Sequence, residues 1–275
     1  MTGTGAAAIL VRMDAPIDNQ ALQQALDARY VGRSAECHDE IGSTNARAAE
    51  WARAGAPDGA LVCAEVQTAG RGRLDRRWHA PRGSSLLMSL IFRPPLAPRQ
   101  SQRMTMILSL AAVEAIGRIA GLAARVKWPN DVYLAEHKVG GILTELGVQG
   151  EALAYVIVGM GLNVNLDVSA LPEVATPATS LSAALGRPVP RLPLLTAILE
   201  GIERRYDRLR AGWSPAEEWR EHLLTVGRRV TVRAGDEETL EGVAEGVDAD
   251  GALLVRDSAG VLRRILAGDV TLRGR

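Results

Sequence analysis

Lys127–Glu145 reads KWPNDVYLAEHKVGGILTE. Lys127 ends an apolar run, and Pro129 stops any helix there, so Asn130 and Asp131 fall on a tight turn. The chain resumes as a strand over 132–134, turns through Glu136-His137 and enters a second apolar run with Lys138 at its mouth. The predicted unit is a hairpin that brings Asp131 and Lys138 close together. A carboxylate beside an ammonium suits a polyphosphate: the acid can hold Mg²⁺ while the lysine meets a phosphate or carboxylate oxygen. The same residues would equally suit an exposed hairpin with an ordinary surface ion pair.

A second segment, Glu65–Trp78, reads EVQTAGRGRLDRRW and follows a strand-like run ending in Gln67. Gly70 and Gly72 allow backbone conformations closed to other residues and let main-chain N–H groups face a ligand. Arg71, Arg73, Arg76, Arg77 and Arg82 place five guanidinium groups in twelve residues, against one acid, Asp75. Such a loop can wrap phosphates or a carboxylate. A solvated basic loop or a nucleic-acid patch would look similar. It is not a Walker A loop, because no Gly-Lys-Ser/Thr follows at the required spacing.

Two further blocks, GSTNAR at 42–47 and GMGLNVN at 159–165, complete a set of four. Their order and spacing resemble the biotin–protein ligases, also called biotin–[acetyl-CoA-carboxylase] ligases, from about Cys37 to the C-terminus. One departure stands out: the family's loop usually carries another glycine where this chain has Leu74-Asp75. The resemblance implies an α+β fold, a mixed-sheet catalytic domain followed by a small SH3-like β-barrel.

The pattern of elements agrees. Strands are expected at 60–67, 85–92, 124–127, 132–134, 141–147 and 153–165, with helices at 19–28, 46–54, 104–119, 192–210 and 215–224. Ser43 or Thr44 can cap the second of these helices and Gly55 can close it. Strands and helices without regular alternation argue for α+β over a doubly wound sheet. From Gly227 the chain breaks into short β runs separated by Gly235-Asp236, Asp248–Gly251 and Ser258–Gly260, which suits a small antiparallel barrel. The expected units are a lead-in at 1–35, a catalytic domain at 36–226 and the barrel at 227–275. Loops carrying Pro172 and Pro177 connect the last strand of the catalytic sheet to its helices.

Composition fits an enzyme of ordinary size. Hydrophobic residues make up 47% of 275 residues, and 32 Lys+Arg balance 32 Asp+Glu. A protein whose main partner is DNA would usually be basic overall or strongly asymmetric. Cys37 and Cys63 are the only cysteines, and two reduced, buried thiols are expected rather than a disulfide. No run reaches membrane-spanning length, and the opening lacks the pattern of a signal peptide, so a cytoplasmic protein is expected. Bifunctional members of the resembled family carry an N-terminal winged helix-turn-helix. The 35 residues before the first catalytic strand are too few for one, so a monofunctional ligase without a DNA partner is expected.

The resemblance implies that biotin and ATP form biotinyl-5′-AMP and pyrophosphate, after which biotin passes to a lysine of a biotin carboxyl carrier domain. Neither step needs an enzyme nucleophile. The protein must align two anions, offset their repulsion and exclude water. By the same resemblance Ser43, Thr44, Asn45 and Gln67 meet the ureido end of biotin, and Gly70, Gly72, Gly140 and Gly141 let backbone approach it. Arg71 and Arg73 bind the carboxylate, the α-phosphate or the adenylate. Trp78 covers the adenine or anchors the loop. Lys138 bridges the biotin carboxylate and the α-phosphate, and Asp131 binds Mg²⁺ or orients the incoming amine. Asn130 assists or shapes the turn. Asn163, after a Gly-x-Gly bend, contacts the adenylate or serves as a left-handed turn residue. Lys127 reaches phosphate or caps the hairpin. The protein is expected to be a monomer or homodimer. A lipoate–protein ligase and a non-enzymatic biotin or nucleotide sensor remain as alternatives.

Overall fold

The central sheet of the protein, seen in a computed structural model that describes residues 15–74, 76–170, 177–234 and 238–273, is built from the strands read in the sequence plus one more. The elements in order are α1 (Asn19–Ala25), β1 (Ala35–Ile41), α2 (Thr44–Arg53), β2 (Ala60–Gln67), β3 (Ser85–Phe92), α3 (Gln102–Ala120), β4 (Ala124–Lys127), β5 (Asp131–Leu134), β6 (His137–Gln149), β7 (Ala152–Asn163), α4 (Leu181–Leu185), α5 (Arg191–Arg210) and α6 (Ala216–His222). Residues 1–14, Asp75, Pro172 and the Gly235-Asp236 turn lie outside the described residues.

The seven strands run in the order β1-β2-β3-β7-β6-β5-β4. Only β1 and β2 are parallel, joined by the crossover helix α2; every other neighbour pair is antiparallel. The mixed α+β sheet expected from sequence is therefore present. The β3 strand, SLLMSLIF, is buried at every position because it is covered on both faces. Helices α3 and α5 cover one face, and nearly the whole length of α3 is buried there. The other face carries α2, whose alanines sit in a small cluster with Val62, Ile91 and Ile157. Leu22 and Leu26 of the N-terminal segment join the main core. A fully buried ion pair, Arg191–Glu65, takes the Ile17 amide and the Ala15 carbonyl as further partners.

Strands β8 (Arg229–Ala234), β9 (Glu238–Val247), β10 (Leu253–Asp257), β11 (Leu262–Ile265) and β12 (Asp269–Leu272) form a second, antiparallel sheet in the order β11-β10-β9-β8-β12. The sequence reading missed β12. Trp128 anchors this unit: the side chain is fully buried, and its Nε1 donates to the Gly251 carbonyl at 2.8 Å. That docking brings the turn before β12 to the mouth of the site described next.

Candidate active site

Ser43 caps α2, its Oγ accepting from the Ala46 amide. The first turn of α2 is thereby pinned over the central sheet, and Thr44 and Asn45 point inward, both buried. The Thr44 amide donates to Gln67 Oε1 at 2.8 Å, and the Thr44 hydroxyl lies 3.1 Å from the same oxygen. Ser89 Oγ donates to Asn45 Oδ1 at 2.6 Å and lies 2.8 Å from Thr44 Oγ1. Asn45 Nδ2 donates to Glu145 Oε2 at 2.7 Å and to the Leu143 carbonyl at 3.3 Å. This is a satisfied polar floor set among apolar strands, the arrangement that buried polar groups require.

The glycines of GMGLNVN work by size. Gly159 and Gly161 lie within β7, not at a bend as read from sequence. A Cβ on Gly159 would sit 1.9 Å from Asn45 Oδ1, and one on Gly161 would sit 2.3 Å from the Trp78 ring. Asn163 ends the strand in extended conformation, so the left-handed turn alternative is set aside. Its Nδ2 donates to the Thr179 carbonyl.

The arginine loop closes the opposite side. Trp78 pairs its amide with the Gly70 carbonyl, and a Cβ on Gly70 would lie 2.6 Å from Trp78 O. Neither Gly70 nor Gly72 takes a left-handed φ, so the conformational argument for them is replaced by close backbone approach at Gly70. The left-handed residue here is Leu74, at φ 54. Arg73 donates to Asn130 Oδ1 at 2.9 Å and to the Gly268 carbonyl at 3.0 Å. Arg76 pairs with Asp269 and Arg71 with Glu145. Arg82 points away and pairs with Asp39.

The hairpin supplies the third wall. Lys138 Nζ stands 2.7 Å from Asp131 Oδ1 and 5.9 Å from the centre of the Trp78 ring. The expected closeness of Asp131 and Lys138 is met across the β5–β6 pair. Gly141 opposes Asp131 in register, and a Cβ there would come within 3.3 Å of Lys138 Nζ. Asn130 shapes the turn: its amide and carbonyl bond Lys127 and Ile142, and its Nδ2 bonds the Ile142 carbonyl. Burial lowers the Arg73 pKa from the ordinary arginine value, with Asp269 and Asp131 partly opposing it. Burial likewise lowers Lys127, which stacks on Tyr133.

These walls enclose one cavity of about 620 Å³. Ser43, Thr44, Asn45, Gln67, Arg71, Gly72, Arg73, Trp78, Asn130, Asp131, Lys138, Gly141 and Asn163 all line it, as the sequence reading grouped them. Gly70, Gly140 and Lys127 do not: Gly140 faces Leu162, and Lys127 lies behind Asp131. Arg71, Arg73, Arg76, Arg77 and Lys138 put five cations on the lining against the carboxylates of Asp131 and Asp269. The lining thus combines hydrogen-bonding neutral groups with a cluster of cations that includes Lys138. Trp78 Nε1 is a buried donor with no hydrogen-bond partner among the described residues. Sequence reasoning missed Ser89, Glu145 and Asp269. For the first two a signal existed: a polar residue inside a strand otherwise rich in apolar ones.

Residues 39–163 match the Biotin/lipoate A/B protein ligase family, and residues 225–273 match the Biotin protein ligase C terminal domain. The chain is 34% identical over 266 residues to the bifunctional ligase/repressor BirA of Bacillus subtilis, covering 96% of this chain and 81% of that protein. It is 33% identical to the biotin–[acetyl-CoA-carboxylase] ligase of Mycobacterium tuberculosis, covering 94% and 97% of the two chains. The Aquifex aeolicus biotin protein ligase, solved in complex with biotin and ATP, superimposes with a TM-score of 0.73 at 29% identity, over 88% of this chain and 99% of that one. With both catalytic and C-terminal units matched, the chain belongs to the biotin protein ligase family.

Proposed function

We propose that the protein activates biotin with ATP to biotinyl-5′-AMP, releasing pyrophosphate, and passes biotin to a specific lysine of a biotin carboxyl carrier domain. It is a ligase of the family just named. The observation that carries the reading is that one cavity is lined both by a hydrogen-bonding floor, Ser43–Asn45 and Gln67, and by cations, the arginine loop and Lys138.

The floor takes the ureido ring, a polar group that must be fully matched when buried. Met88, Met160 and Leu143 line the apolar stretch beside it. This leaves the biotin carboxylate at Lys138, beside the α-phosphate. Two anions must meet there. Lys138 and Arg73 offset their repulsion and stabilise the charge that builds on the phosphorus oxygens as the carboxylate oxygen attacks and the bond to pyrophosphate breaks. Trp78 and the folded loop keep water from the mixed anhydride. In the second half-reaction the acceptor's amine attacks the acyl carbon, the bond to AMP breaks, and Asp131 orients the amine.

ATP-dependent ligation in this family implies a divalent cation, and Mg²⁺ is the proposed one. Among the described residues no three His, Cys, Asp or Glu side chains converge as a cation cage. Of the two carboxylates on the cavity lining, Asp131 and Asp269, Asp131 would hold the ion, with phosphate oxygens and water supplying its other ligands. Bound there, the cation supplies charge neutralisation on the triphosphate. No helix among the described residues is long and apolar enough to cross a membrane, and the proposed setting is the cytoplasm.

The test is pyrophosphate release. Addition of biotin and ATP should release pyrophosphate in proportion to biotin, and lipoate should not replace biotin. Release with lipoate alone would move the protein to the lipoate branch of the fold.

A further inference from the structure

Glu145 joins two parts of the cavity that are far apart in sequence. Its Oε2 accepts from Asn45 Nδ2 at 2.7 Å, and its Oε1 accepts from Arg71 Nη2 at 3.0 Å. The consequence for Asn45 follows from counting protons. An Asn amide has two donor hydrogens on nitrogen and none on oxygen. Here both nitrogen-side partners, the Leu143 carbonyl and the Glu145 carboxylate, can only accept. The oxygen-side partner is the Ser89 hydroxyl, which must therefore donate. Asn45 is locked with Oδ1 over Gly159 on the cavity wall, and that oxygen keeps one lone pair for a donor. Were the Glu145 carboxylate neutralised or removed, one amide proton would lose its acceptor, and the flipped amide would become competitive.

The second link concerns Arg71. It stands in the loop between Gly70 and Gly72, and its backbone bridges that of Arg77. Its guanidinium is half exposed and is held by Glu145. One carboxylate therefore sets the direction of a floor acceptor and ties down the loop that carries Arg73.

We propose that Glu145 is a positioning residue: it fixes the Asn45 carbonyl oxygen toward the cavity to accept a ureido N–H, and it tethers the arginine loop to that same floor. The inference rests on the biotin-ligase reading and names the residue that sets selectivity for the ureido group. A glutamine at 145 keeps the shape but has one acceptor and one donor end. Whichever way it turns, its NH₂ meets a donor, Asn45 Nδ2 or Arg71 Nη2, and one link is lost.

The experiment uses the full chain and the variants Glu145→Gln and Arg71→Met, with adenylate formation measured for biotin and for a derivative methylated on a ureido nitrogen. Glu145→Gln should raise the KM for biotin about tenfold, the low end for one charge-assisted hydrogen bond, with kcat within about threefold. The preference for biotin over its methylated derivative should fall by a similar factor, because the derivative lacks the proton that Asn45 Oδ1 accepts. A residue that merely supported the fold would weaken both compounds alike. Arg71→Met should loosen the loop from the other side, and its effect combined with Glu145→Gln should be less than the product of the two. An unchanged preference in a folded Glu145→Gln protein overturns the proposal, as does a fall in kcat at unchanged KM. If the parent chain makes no biotinyl-adenylate, the biotin-ligase reading itself has failed. If the parent is active and both variants match it, only the role of Glu145 has failed.

Discussion

The floor and the loop of the cavity are built on opposite principles. On the floor, Thr44, Asn45, Ser89 and Gln67 sit on a helix start and central strands, and three of the four are almost wholly buried. Their hydrogen bonds are made within the protein before any ligand arrives. In the loop, Arg71 and Arg76 are each held by one carboxylate and are more than half exposed, while Arg73 is held by Asn130 Oδ1 and the Gly268 carbonyl. A surface ion pair contributes about 0–1 kcal/mol, so the Arg76–Asp269 pair can be exchanged for a ligand anion at little cost. A buried network loses more when one member goes, because the remaining groups are left unsatisfied. The difference assigns shape recognition to the floor and charge management to the loop.

Lys138 lines the same cavity beside Asp131, and its loss has the largest expected effect. Lys138→Ala should leave the fold intact, since the side chain lies at the mouth of β6 and only touches the cavity. It should slow adenylate formation by about a hundredfold or more, the scale set by losing one transition-state charge partner. A folded variant with near-normal pyrophosphate release would remove Lys138 from the chemistry.

Arg73→Gly should come next. It removes two hydrogen bonds, to Asn130 and Gly268, and a partly buried charge that interacts with both Asp131 and Asp269. Biotinyl-AMP should dissociate about ten to a hundred times faster, as expected for a charge-assisted contact of about 1.5–3 kcal/mol. Unchanged dissociation would mean that the loop does not hold the intermediate through this residue.

Ser89→Ala and Arg76→Gln form the pair that tests the contrast itself. Ser89→Ala takes the donor from Asn45 Oδ1 in a fully buried position and should destabilise the protein by about 1–3 kcal/mol. Arg76→Gln breaks an exposed pair with Asp269 and should change stability by less than about 1 kcal/mol, while weakening ATP binding in a salt-dependent way. Denaturant melts and ATP titrations of both variants decide it. Equal losses of stability would erase the distinction between floor and loop.

The smallest effect is expected at Leu74, exposed and at φ 54. Leu74→Gly should relieve about 1 kcal/mol of left-handed strain and return a similar amount as unfolded-chain entropy. The melting temperature should stay nearly constant, and adenylate dissociation should change less than threefold. A large change in dissociation would show that the Leu74-Asp75 departure sets how this loop closes.

How far the chain disclosed itself beforehand follows the same physics. Strands β2 and β3 match their expected limits residue for residue, because Gly59 and the prolines after Phe92 bound runs that are largely apolar. At their shared hairpin β6 and β7 run past the expected limits, because it projects into solvent around Gly150 and loses the apolar pattern while keeping its pairing; β7 stops at Asn163, short of its expected end. β12 and α4 escaped because four or five residues with one buried side chain carry no readable period. Cys37 and Cys63 pair across β1 and β2 with their Sγ atoms 2.8 Å apart; Cys63 is buried as expected, whereas Cys37 is only half-buried. In the site, the motif residues could be grouped because their types are unusual for their local setting. Asp269 could not, for it reaches the cavity only through the docking of a separate sheet by Trp128, a long-range contact that no local pattern encodes.

The most direct measurement is transfer of labelled biotin to an isolated biotin carboxyl carrier domain in the presence of ATP. The account predicts stable label on one lysine of that domain, one AMP formed per label, no label without ATP, and loss of labelling in Lys138→Ala. A folded parent chain that binds biotin and ATP yet neither releases pyrophosphate nor labels the acceptor would contradict it.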